Sequence, residues 1–210
     1  MKVIILGAGN VGGFIAWNMD LFSQKIDIQG FLDDDDEKIG GEAFGYPVLG
    51  NLGAIKGYVN REIGVIIAIN NPSIRSQVVE KVKDLNFSTP TLISKNAWIS
   101  KGVTIGDGSI IYPGCSINYN CVIEKFVIMN MNCALGHDCT IGTCSSLAPG
   151  VNLAGFTQIG KGVDVGIGAA TKQNVNIGKG AIIGGQSMIT KDVNESETVA
   201  GVPAKPINKG

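Results

Sequence analysis

The chain has 210 residues with 17 basic and 18 acidic side chains, a formal net charge of −1 and a pI of about 5.8. Because Lys and Arg are scattered rather than clustered, this balance excludes nucleic acid or an anionic membrane as the main partner. No apolar run approaches the ~20 residues of a membrane span, and we expect a cytoplasmic protein. The five cysteines form no CxxC pair, which predicts neither disulfides nor a metal site.

The first ninety residues alternate between predicted strands and helices. Apolar runs at residues 2–6, 26–32 and 65–69 predict buried parallel strands, because such strands are covered on both faces. A helical pattern follows the first strand over residues 11–21, and a second helix begins after Asn71 and Pro72 and extends to Leu85. This alternation predicts a small α/β domain over residues 1–90 with a parallel, Rossmann-like sheet.

A glycine-rich turn, Gly7-Ala8-Gly9-Asn10-Val11-Gly12, joins the first strand to the first helix. Its glycines would let backbone N–H groups approach a phosphate, and Asp33 at the end of the second strand could bind a ribose hydroxyl. In isolation the pattern predicts an NAD site, although ninety residues lack the second half of a dinucleotide fold. Asp35 and Asp36 are assigned to a solvated loop, and the candidate nucleotide-binding residues are Gly7, Gly9, Asn10, Gly12, Asp33 and Asp34.

From residue 93 the sequence has a period of six. A large apolar residue, the rung, recurs at every sixth position from Ile93 to Ile189, with the single exception of Thr171. A small residue precedes each rung by two positions, so both face the same side of a short strand. Gly or Asn follows many rungs by three positions, where the chain must turn with φ often positive. The pattern predicts a parallel β-solenoid over residues 91–210.

The small position of the repeat also explains most of the cysteines. A thiol behaves there as a compact apolar group. The residues concerned are Cys115, Cys121, Cys133 and Cys139, whereas Cys144 falls at a corner.

His137 is the only histidine of the chain, and it falls at a corner rather than on a rung. Acyl transfer to an amine or hydroxyl requires removal of a proton from the nucleophile, which histidine is suited to accept. Asp138 could orient the imidazole, but adjacent residues of a strand point in opposite directions, so a bend is required. The alternative is that His137 is an ordinary exposed corner residue and that Asp138 favours the turn.

Three features together resemble a known family. They are the Ile-Gly-containing hexads, the stretch Gly136-His137-Asp138-Cys139-Thr140-Ile141-Gly142 and the terminal Ala200-Gly201-Val202-Pro203-Ala204-Lys205-Pro206. The chain resembles the sialic acid O-acetyltransferase family, which includes N-acetyltransferases of nucleotide-linked 4-amino sugars. The resemblance implies a left-handed β-helix with three hexads per coil, a homotrimer with an active site at each subunit boundary, and acetyl-CoA as co-substrate.

The resemblance also implies roles for single residues. Asn130 matches an active-site asparagine, and the N-terminal crevice matches the site of the sugar nucleotide. Ser146 stands where most of the family has a second histidine, nine residues after the first. The residues that match contacts to the pantetheine arm and nucleotide of CoA are Gly155, Ile167, Gly185 and Lys205. The apolar outward residues Ile110, Ile128 and Ile182, spaced by multiples of eighteen, predict a covered face, which we assign to a neighbouring subunit.

The function that these features predict is acetyl transfer to the amino group of a nucleotide-linked deoxy-amino sugar, for surface glycan assembly. O-acetylation of sialic acid or a related sugar is the alternative within the same class. A zinc carbonic anhydrase of this fold needs three histidines per site, which a single histidine cannot supply. A non-enzymatic NAD sensor or purely structural solenoid would not need the His137-Asp138 element.

Overall fold

A computed structural model describes residues 1–59 and 61–207 of the chain. The chain divides into two units, Met1–Pro90 and a second that begins at Thr91. Each unit has its own sheets and its own buried apolar residues.

The described part of the first unit contains a parallel sheet, two α-helices and short 3-10 segments. The 3-10 segments are Met19–Leu21, Leu52–Tyr58 and Lys83–Leu85. The other elements are β1 (Lys2–Leu6), α1 (Asn10–Trp17), β2 (Asp27–Leu32), β3 (Glu42–Ala43), β4 (Tyr46–Pro47), β5 (Ile63–Ile67) and α2 (Pro72–Val82).

The sheet of the first unit has the order β2-β1-β5 with parallel pairing, which confirms the predicted small parallel sheet. Strand β5 begins and ends two residues earlier than predicted, because its register with β1 pairs Lys2 with Ile63 and Leu6 with Ile67. Helix α2 begins as predicted, since the side chain of Asn71 accepts the N–H of Ile74 at 3.0 Å. Both predicted helices end early and continue as 3-10 turns.

The second unit is a solenoid of two- and three-residue strands on three sheets, which we call faces 1, 2 and 3. Face 1 contains β7 (Trp98–Ile99), β10 (Ser116–Ile117), β13 (Ala134–Leu135), β16 (Asn152–Leu153), β19 (Ala170–Thr171) and β22 (Met188–Ile189). Face 2 contains β8 (Thr104–Ile105), β11 (Val122–Ile123), β14 (Thr140–Ile141), β17 (Gln158–Ile159) and β20 (Asn176–Ile177). Face 3 contains β6 (Leu92–Ile93), β9 (Ile110–Ile111), β12 (Ile128–Met129), β15 (Ser146–Leu147), β18 (Asp164–Val165), β21 (Ile182–Ile183), β23 (Thr198–Ala200) and β24 (Lys205–Pro206).

Consecutive hexads occupy successive faces, so three hexads make one coil. Each strand pairs in parallel with the strand one coil away, as Ser116 does with Trp98 and with Ala134. Within the described residues, β24 departs from this pattern and pairs antiparallel with β23. The rungs and the small residues point inward and form one continuous core. All four cysteines of the small position are buried thiols, and Cys144 is buried as well.

The corners of the solenoid adopt the left-handed conformation. All ten glycine and asparagine residues at the predicted corner position have positive φ. The same position also has positive φ at five residues that propensity does not identify: Phe126, Asp138, Cys144, Phe156 and Gln186. Aspartate tolerates this conformation, but at Phe126, Cys144, Phe156 and Gln186 the stacking of coils imposes it against the intrinsic preference of the residue.

The interpretation of the outward isoleucines on face 3 requires a correction. Ile110 and Ile128 are 0 % and 1 % exposed in the single chain, whereas Ile182 is 40 % exposed. The first two therefore need no neighbouring subunit to cover them. A side chain that points outward from a strand is exposed only where no other part of the chain packs against it.

Candidate active site

His137 lies where the chain passes from face 1 to face 2, at a corner that we call the histidine corner. It comprises residues 136–138 and their equivalents one coil away, 118–120 and 154–156. Asp138 has φ of 57°, and this left-handed residue supplies the bend that brings adjacent side chains together. The Nδ1 of His137 is 2.7 Å from the Oδ2 of Asp138. The predicted contact between His137 and Asp138 is therefore present, and it forms because the chain bends at this corner.

The Asp138 carboxylate also contacts the neighbouring coil. Its Oδ1 accepts a hydrogen bond from the Nδ2 of Asn120 at 3.2 Å. The hydrogen bond with His137, and next that with Asn120, hold the pKa of Asp138 below its usual range. An ionised Asp138 accepts the proton of Nδ1–H, so the lone pair of the imidazole lies on Nε2, where a proton can be accepted.

Three residues of adjacent coils surround the imidazole. The Tyr119 ring stacks on it with an interplanar angle of 8° and a centroid distance of 5.2 Å. The Phe156 ring meets it edge-on at 89° and 4.9 Å. Gly155 lies against the ring, since a Cβ at Gly155 would be 3.0 Å from both Cε1 and Nε2 of His137. The imidazole is thus confined, while 30 % of the His137 side chain remains exposed.

The sequence reasoning missed Tyr119, Asn120 and Phe156 at this site. Gly155, for which the resemblance implies a contact to CoA, lies directly beside the imidazole. The signal that identifies them is the coil length, because Tyr119 and Gly155 stand eighteen residues before and after His137. Residues at that spacing are neighbours across one strand spacing of about 4.8 Å.

Asn130 lies at a different corner, where the chain passes from face 3 to face 1. We call this the asparagine corner: residues 130–132 and their equivalents 148–150, 166–168 and 184–186. The Oδ1 of Asn130 accepts the N–H of Met131 at 2.8 Å. Within one chain, Asn130 and His137 are therefore on separate corners of the solenoid.

Three predicted CoA contacts lie along the asparagine corner or at its end. A Cβ at Gly185 would be 3.1 Å from Cγ2 of Ile167, which is 56 % exposed. One coil position further on, Ala200 packs on Gly184 and pairs with Lys205 across the antiparallel β23–β24 hairpin. Lys205 is exposed there. The structure brings Ile167, Gly185 and Lys205 toward one edge of the unit, apart from Gly155.

Ser146 does not lie at the histidine corner. It is on β15 of face 3, pairs with Ile128 and Asp164 of the adjacent coils, and is 4 % exposed. Within one chain it therefore does not replace a second imidazole next to His137.

In the first unit, the glycine loop is held in shape by Asp33. The Oδ2 of Asp33 accepts the N–H of Ala8 at 2.6 Å, and its Oδ1 accepts the N–H of Asp35 at 3.0 Å. Lys38 lies 3.6 Å from the same carboxylate. This contact between the end of β2 and the loop is a role that sequence reasoning did not assign to Asp33.

Glycine is required for different reasons at different positions of the loop. Gly7 has φ of +104°, and a Cβ at Gly12 would collide with the carbonyl oxygen of Gly7. A Cβ at Gly9 would meet no atom within 4 Å, so Gly9 faces open space at the start of α1. Asn10 follows it and is exposed. Gly7 and Gly12 are thus required by the fold, and Gly9 is the position where a ligand could approach the backbone.

Asp34 belongs to a nearby cleft of about 450 Å³. Its Oδ1 accepts the N–H of Leu52 at 2.9 Å. Lys56 and Lys81 line the same cleft, together with apolar residues that include Leu6 and Val82. A cleft lined by apolar residues and two cations could hold a group that carries phosphate.

The described residues contain no group of three or more His, Cys, Asp or Glu side chains that could hold a metal ion. Among them, no helix is both long and apolar enough to cross a bilayer.

Comparison with known proteins identifies relatives of both units. Residues 2–82 match the PglD N-terminal domain. The chain is 33% identical over 181 residues to GDP-perosamine N-acetyltransferase of Escherichia coli O157:H7, which covers 83% of this chain and 81% of that protein.

Solved structures agree with this match. The acetyltransferase domain of PglB from Neisseria gonorrhoeae FA1090 is 31% identical, covers 98% of this chain and 99% of its own, and has a TM-score of 0.90. PerB from Caulobacter crescentus, solved in complex with CoA and GDP-perosamine, is 26% identical with a TM-score of 0.91, over 99% of this chain and 98% of its own. These matches confirm a small parallel-sheet domain followed by a left-handed β-helix. The chain therefore belongs to the family of N-acetyltransferases of nucleotide-linked amino sugars, and it is an acyltransferase.

Proposed function

We propose that the chain transfers the acetyl group of acetyl-CoA to the amino group of a nucleotide-linked deoxy-amino sugar, with His137 as general base. The observation that carries the proposal is the confined imidazole, with Nδ1 bonded to Asp138 and Nε2 available to a proton. The amine attacks the thioester carbonyl, the C–N bond forms and the C–S bond breaks. Nε2 accepts the proton that the amine loses, Asp138 stabilises the imidazolium, and the leaving CoA thiolate takes up this proton to become the free thiol.

The relatives support acetyl-CoA as the acyl donor. The PglB domain was solved in complex with acetyl coenzyme A, and PerB in complex with CoA. In this chain, Ile167 and Gly185 form an exposed edge at the asparagine corner, and the cation of Lys205 at its end could face a phosphate of CoA.

The nucleotide of the acceptor is assigned to the first unit. Gly9 is open to a ligand, and the cleft of Asp34 carries two lysines. PerB was solved with GDP-perosamine, a nucleotide-linked amino sugar. A nucleotide-linked sugar is the activated form used in glycosyl transfer, so we place the acetylation in glycan biosynthesis. The buried thiols are compatible with a reducing compartment such as the cytoplasm.

We further infer a homotrimer in which the active site is shared between subunits. Asn130 and His137 lie on different corners of one chain, so a neighbouring subunit is needed to bring the two corners together. The exposed rings of Tyr119 and Phe156 beside His137 would be covered at such a boundary. Sedimentation equilibrium should then give three times the 21.9 kDa mass of the chain, and a monomer with full activity would contradict the shared site.

The proposal is tested with His137→Ala. We expect kcat to fall by about 10²-fold or more with the KM for acetyl-CoA nearly unchanged, since a general base acts on the chemical step. Gln173→Ala is the control, because Gln173 is an exposed residue at the equivalent position two coils away and should leave kcat unchanged. An unaltered rate in His137→Ala would show that another group accepts the proton.

A panel of acceptors identifies the class of nucleophile. Nucleotide-linked amino sugars should be acetylated and the corresponding hydroxyl sugars should not. Acetylation of sialic acid in preference to the amino sugars would replace N-acetylation by O-acetylation.

A further inference from the structure

Thr171 is the one polar rung in a ladder that is otherwise apolar from Ile93 to Ile189. It lies on β19 of face 1, one coil beyond β16, and is 5 % exposed. An apolar side chain would satisfy the core at this position, as it does at the other rungs. A buried hydroxyl is unfavourable unless its hydrogen bonds are made, so the exception calls for a specific partner.

The backbone ladder changes at this rung. On face 1, the residue after each rung donates its N–H to the carbonyl of the next rung: Asn118 to Leu135 at 3.1 Å, and Gly136 to Leu153 at 2.7 Å. At the following coil, the N–H of Ala154 donates instead to the Oγ1 of Thr171 at 3.0 Å. Strands β16 and β19 pair through Asn152 and Ala170 alone, whereas β13 and β16 pair through two residues. A side-chain hydroxyl therefore takes the place of a backbone acceptor.

A second buried threonine completes a closed set of hydrogen bonds. The hydroxyl of Thr157, which is fully buried, donates to the carbonyl oxygen of Ala154 at 2.6 Å. Its Oγ1 is 2.9 Å from the Oγ1 of Thr171. Because the single proton of Thr157 is used at Ala154, Thr171 donates to Thr157 and accepts from Ala154. Both backbone polar groups of Ala154 are thus held by the two threonines.

The residue after Ala154 is the one that contacts the imidazole. A Cβ at Gly155 would be 3.0 Å from Nε2 of His137. The same stretch of backbone packs on the residue before the histidine, since a Cβ at Gly136 would be 2.9 Å from the carbonyl carbon of Ala154. The position of the Ala154–Gly155 peptide therefore limits the position of the ring.

We propose that Thr171 and Thr157 are positioning residues that hold the Ala154–Gly155 peptide against the imidazole of His137, through side-chain hydrogen bonds that replace one bond of the backbone ladder. They do not contact the reacting atoms. The effect on rate rests on the proposed role of His137 as base, but the effect on ring position does not. An apolar rung would remove the hydrogen bonds that Thr171 makes to Ala154 and Thr157, so the peptide would no longer be fixed relative to the ring.

The test is Thr171→Val, which keeps the shape of the side chain and removes the hydroxyl. We expect a folded protein whose kcat is lower by about 10-fold, with both KM values near those of the parent, because misplaced catalytic groups slow the chemical step. Thr171→Ser restores the hydroxyl and should recover most of the rate. Thr157→Val breaks the same set of hydrogen bonds from the other side and serves if Thr171→Val does not fold.

A second readout is independent of activity. The untagged protein has a single histidine, so its Cε1–H signal in an NMR spectrum is unambiguous. The ring of Tyr119 shifts this signal according to the imidazole position, and we expect the signal to move in Thr171→Val and to return in Thr171→Ser.

Ser145→Ala is the matched control. Ser145 is also fully buried, and its hydroxyl donates to the carbonyl of Gly160 at 2.8 Å and accepts the N–H of Val163 at 3.0 Å, at another corner. This variant should leave both kcat and the imidazole signal unchanged. A parental kcat or an unmoved signal in Thr171→Val would overturn the positioning role. Parental activity in His137→Ala would instead contradict the role of His137 as general base. The NMR signal of Thr171→Val would still show whether Thr171 positions the imidazole.

Discussion

The pairing of His137 with Asp138 depends on the conformation of a single residue. Side chains of adjacent residues in a strand diverge, and the left-handed φ of Asp138 removes that divergence. Asp and Asn tolerate this conformation better than most residues, which is consistent with Asn120 and Asn132 at equivalent corners. The residue that turns the chain is therefore also the residue that orients the imidazole.

Asp138→Asn should reduce kcat by about 10²-fold or more while retaining the corner conformation. The amide can donate to Nδ1, which would place the ring proton on Nε2 and remove the site that accepts a proton; a comparable change in a catalytic triad costs about 10⁴-fold. Steady-state kinetics at neutral pH measures the change. Asp192→Asn is the control, because Asp192 bonds Asn176 and has a lowered pKa without any contact to an imidazole. A parental kcat in Asp138→Asn would show that the carboxylate is not needed to set the tautomer.

The same variant has a defined dependence of stability on pH. The pKa of Asp138 is lowered in the folded state, so its ionised form stabilises the fold above the unfolded value of about 3.9 and loses this effect as the pH falls further. The unfolding temperatures of the parent and Asp138→Asn should therefore differ above pH ~4 and converge as the pH falls further. A difference that persists unchanged in acid would exclude a contribution from the charge.

The corner is the element that assembles the site, because equivalent positions stack along the solenoid. The middle position of the histidine corner holds Lys101, Tyr119, His137, Gly155 and Gln173 in successive coils. The backbone at this position accepts large side chains, and φ of Gly155 is outside the left-handed range. Gly155 is thus required by the neighbouring imidazole and not by the turn.

Gly155→Ala should lower kcat by about 10-fold, because the added Cβ would be 3.0 Å from Cε1 and Nε2 of His137 and displace the ring. A glycine-to-alanine change at a compatible backbone position stabilises a protein by about 0.4–1 kcal/mol through the unfolded state. In the parent this gain is offset by the contact with the ring. In a His137→Ala background the free energy of unfolding should rise by that amount, with no further loss of rate. An equal gain in both backgrounds would show that the ring is not constrained by Gly155.

At the scale of the whole molecule, the proposed function assigns the two substrates to different units. The first unit offers an open glycine at the start of a helix and a cleft with two lysines. The second carries the histidine and asparagine corners. A change that affects the first unit alone should therefore alter the kinetics of one substrate and not those of the other.

Gly9→Val tests this division. Its side chain would fill the open space beside the loop and block the approach of phosphate to the backbone. The KM for the nucleotide sugar should rise by about 10-fold or more, with the KM for acetyl-CoA unchanged. Gly57→Val is the control, since Gly57 is also open but lies outside the glycine loop. If the loop binds NAD instead, Gly9→Val will leave the acceptor KM unchanged and remove saturable NAD binding in calorimetry.

Much of the architecture follows from local patterns in the chain. A period of six keeps strand alternation in phase, so it determines which residues face the core and where the corners fall, and the ten predicted corner residues have positive φ. The apolar runs determine the parallel strands, and the hexad count places His137 and Asp138 at a corner, where the left-handed φ of Asp138 brings them into contact. These properties can be predicted from the sequence because they depend on residues that are close together in the chain.

The surroundings of His137 were decided by the tertiary structure. Tyr119, Gly155 and Phe156 reach the imidazole only because three hexads close one coil and stack the chain on itself, and Thr171 acts through a residue of the previous coil. Tertiary packing likewise gave Asp33 its bond to Ala8 in the first unit and buried the outward residues Ile110 and Ile128. By itself, the sequence determined the six-residue period, the residues that face the core and the positions of the corners, because the alternation of side chains along a strand depends only on neighbouring residues. Contacts across coils depend on the packing that those local elements reach together.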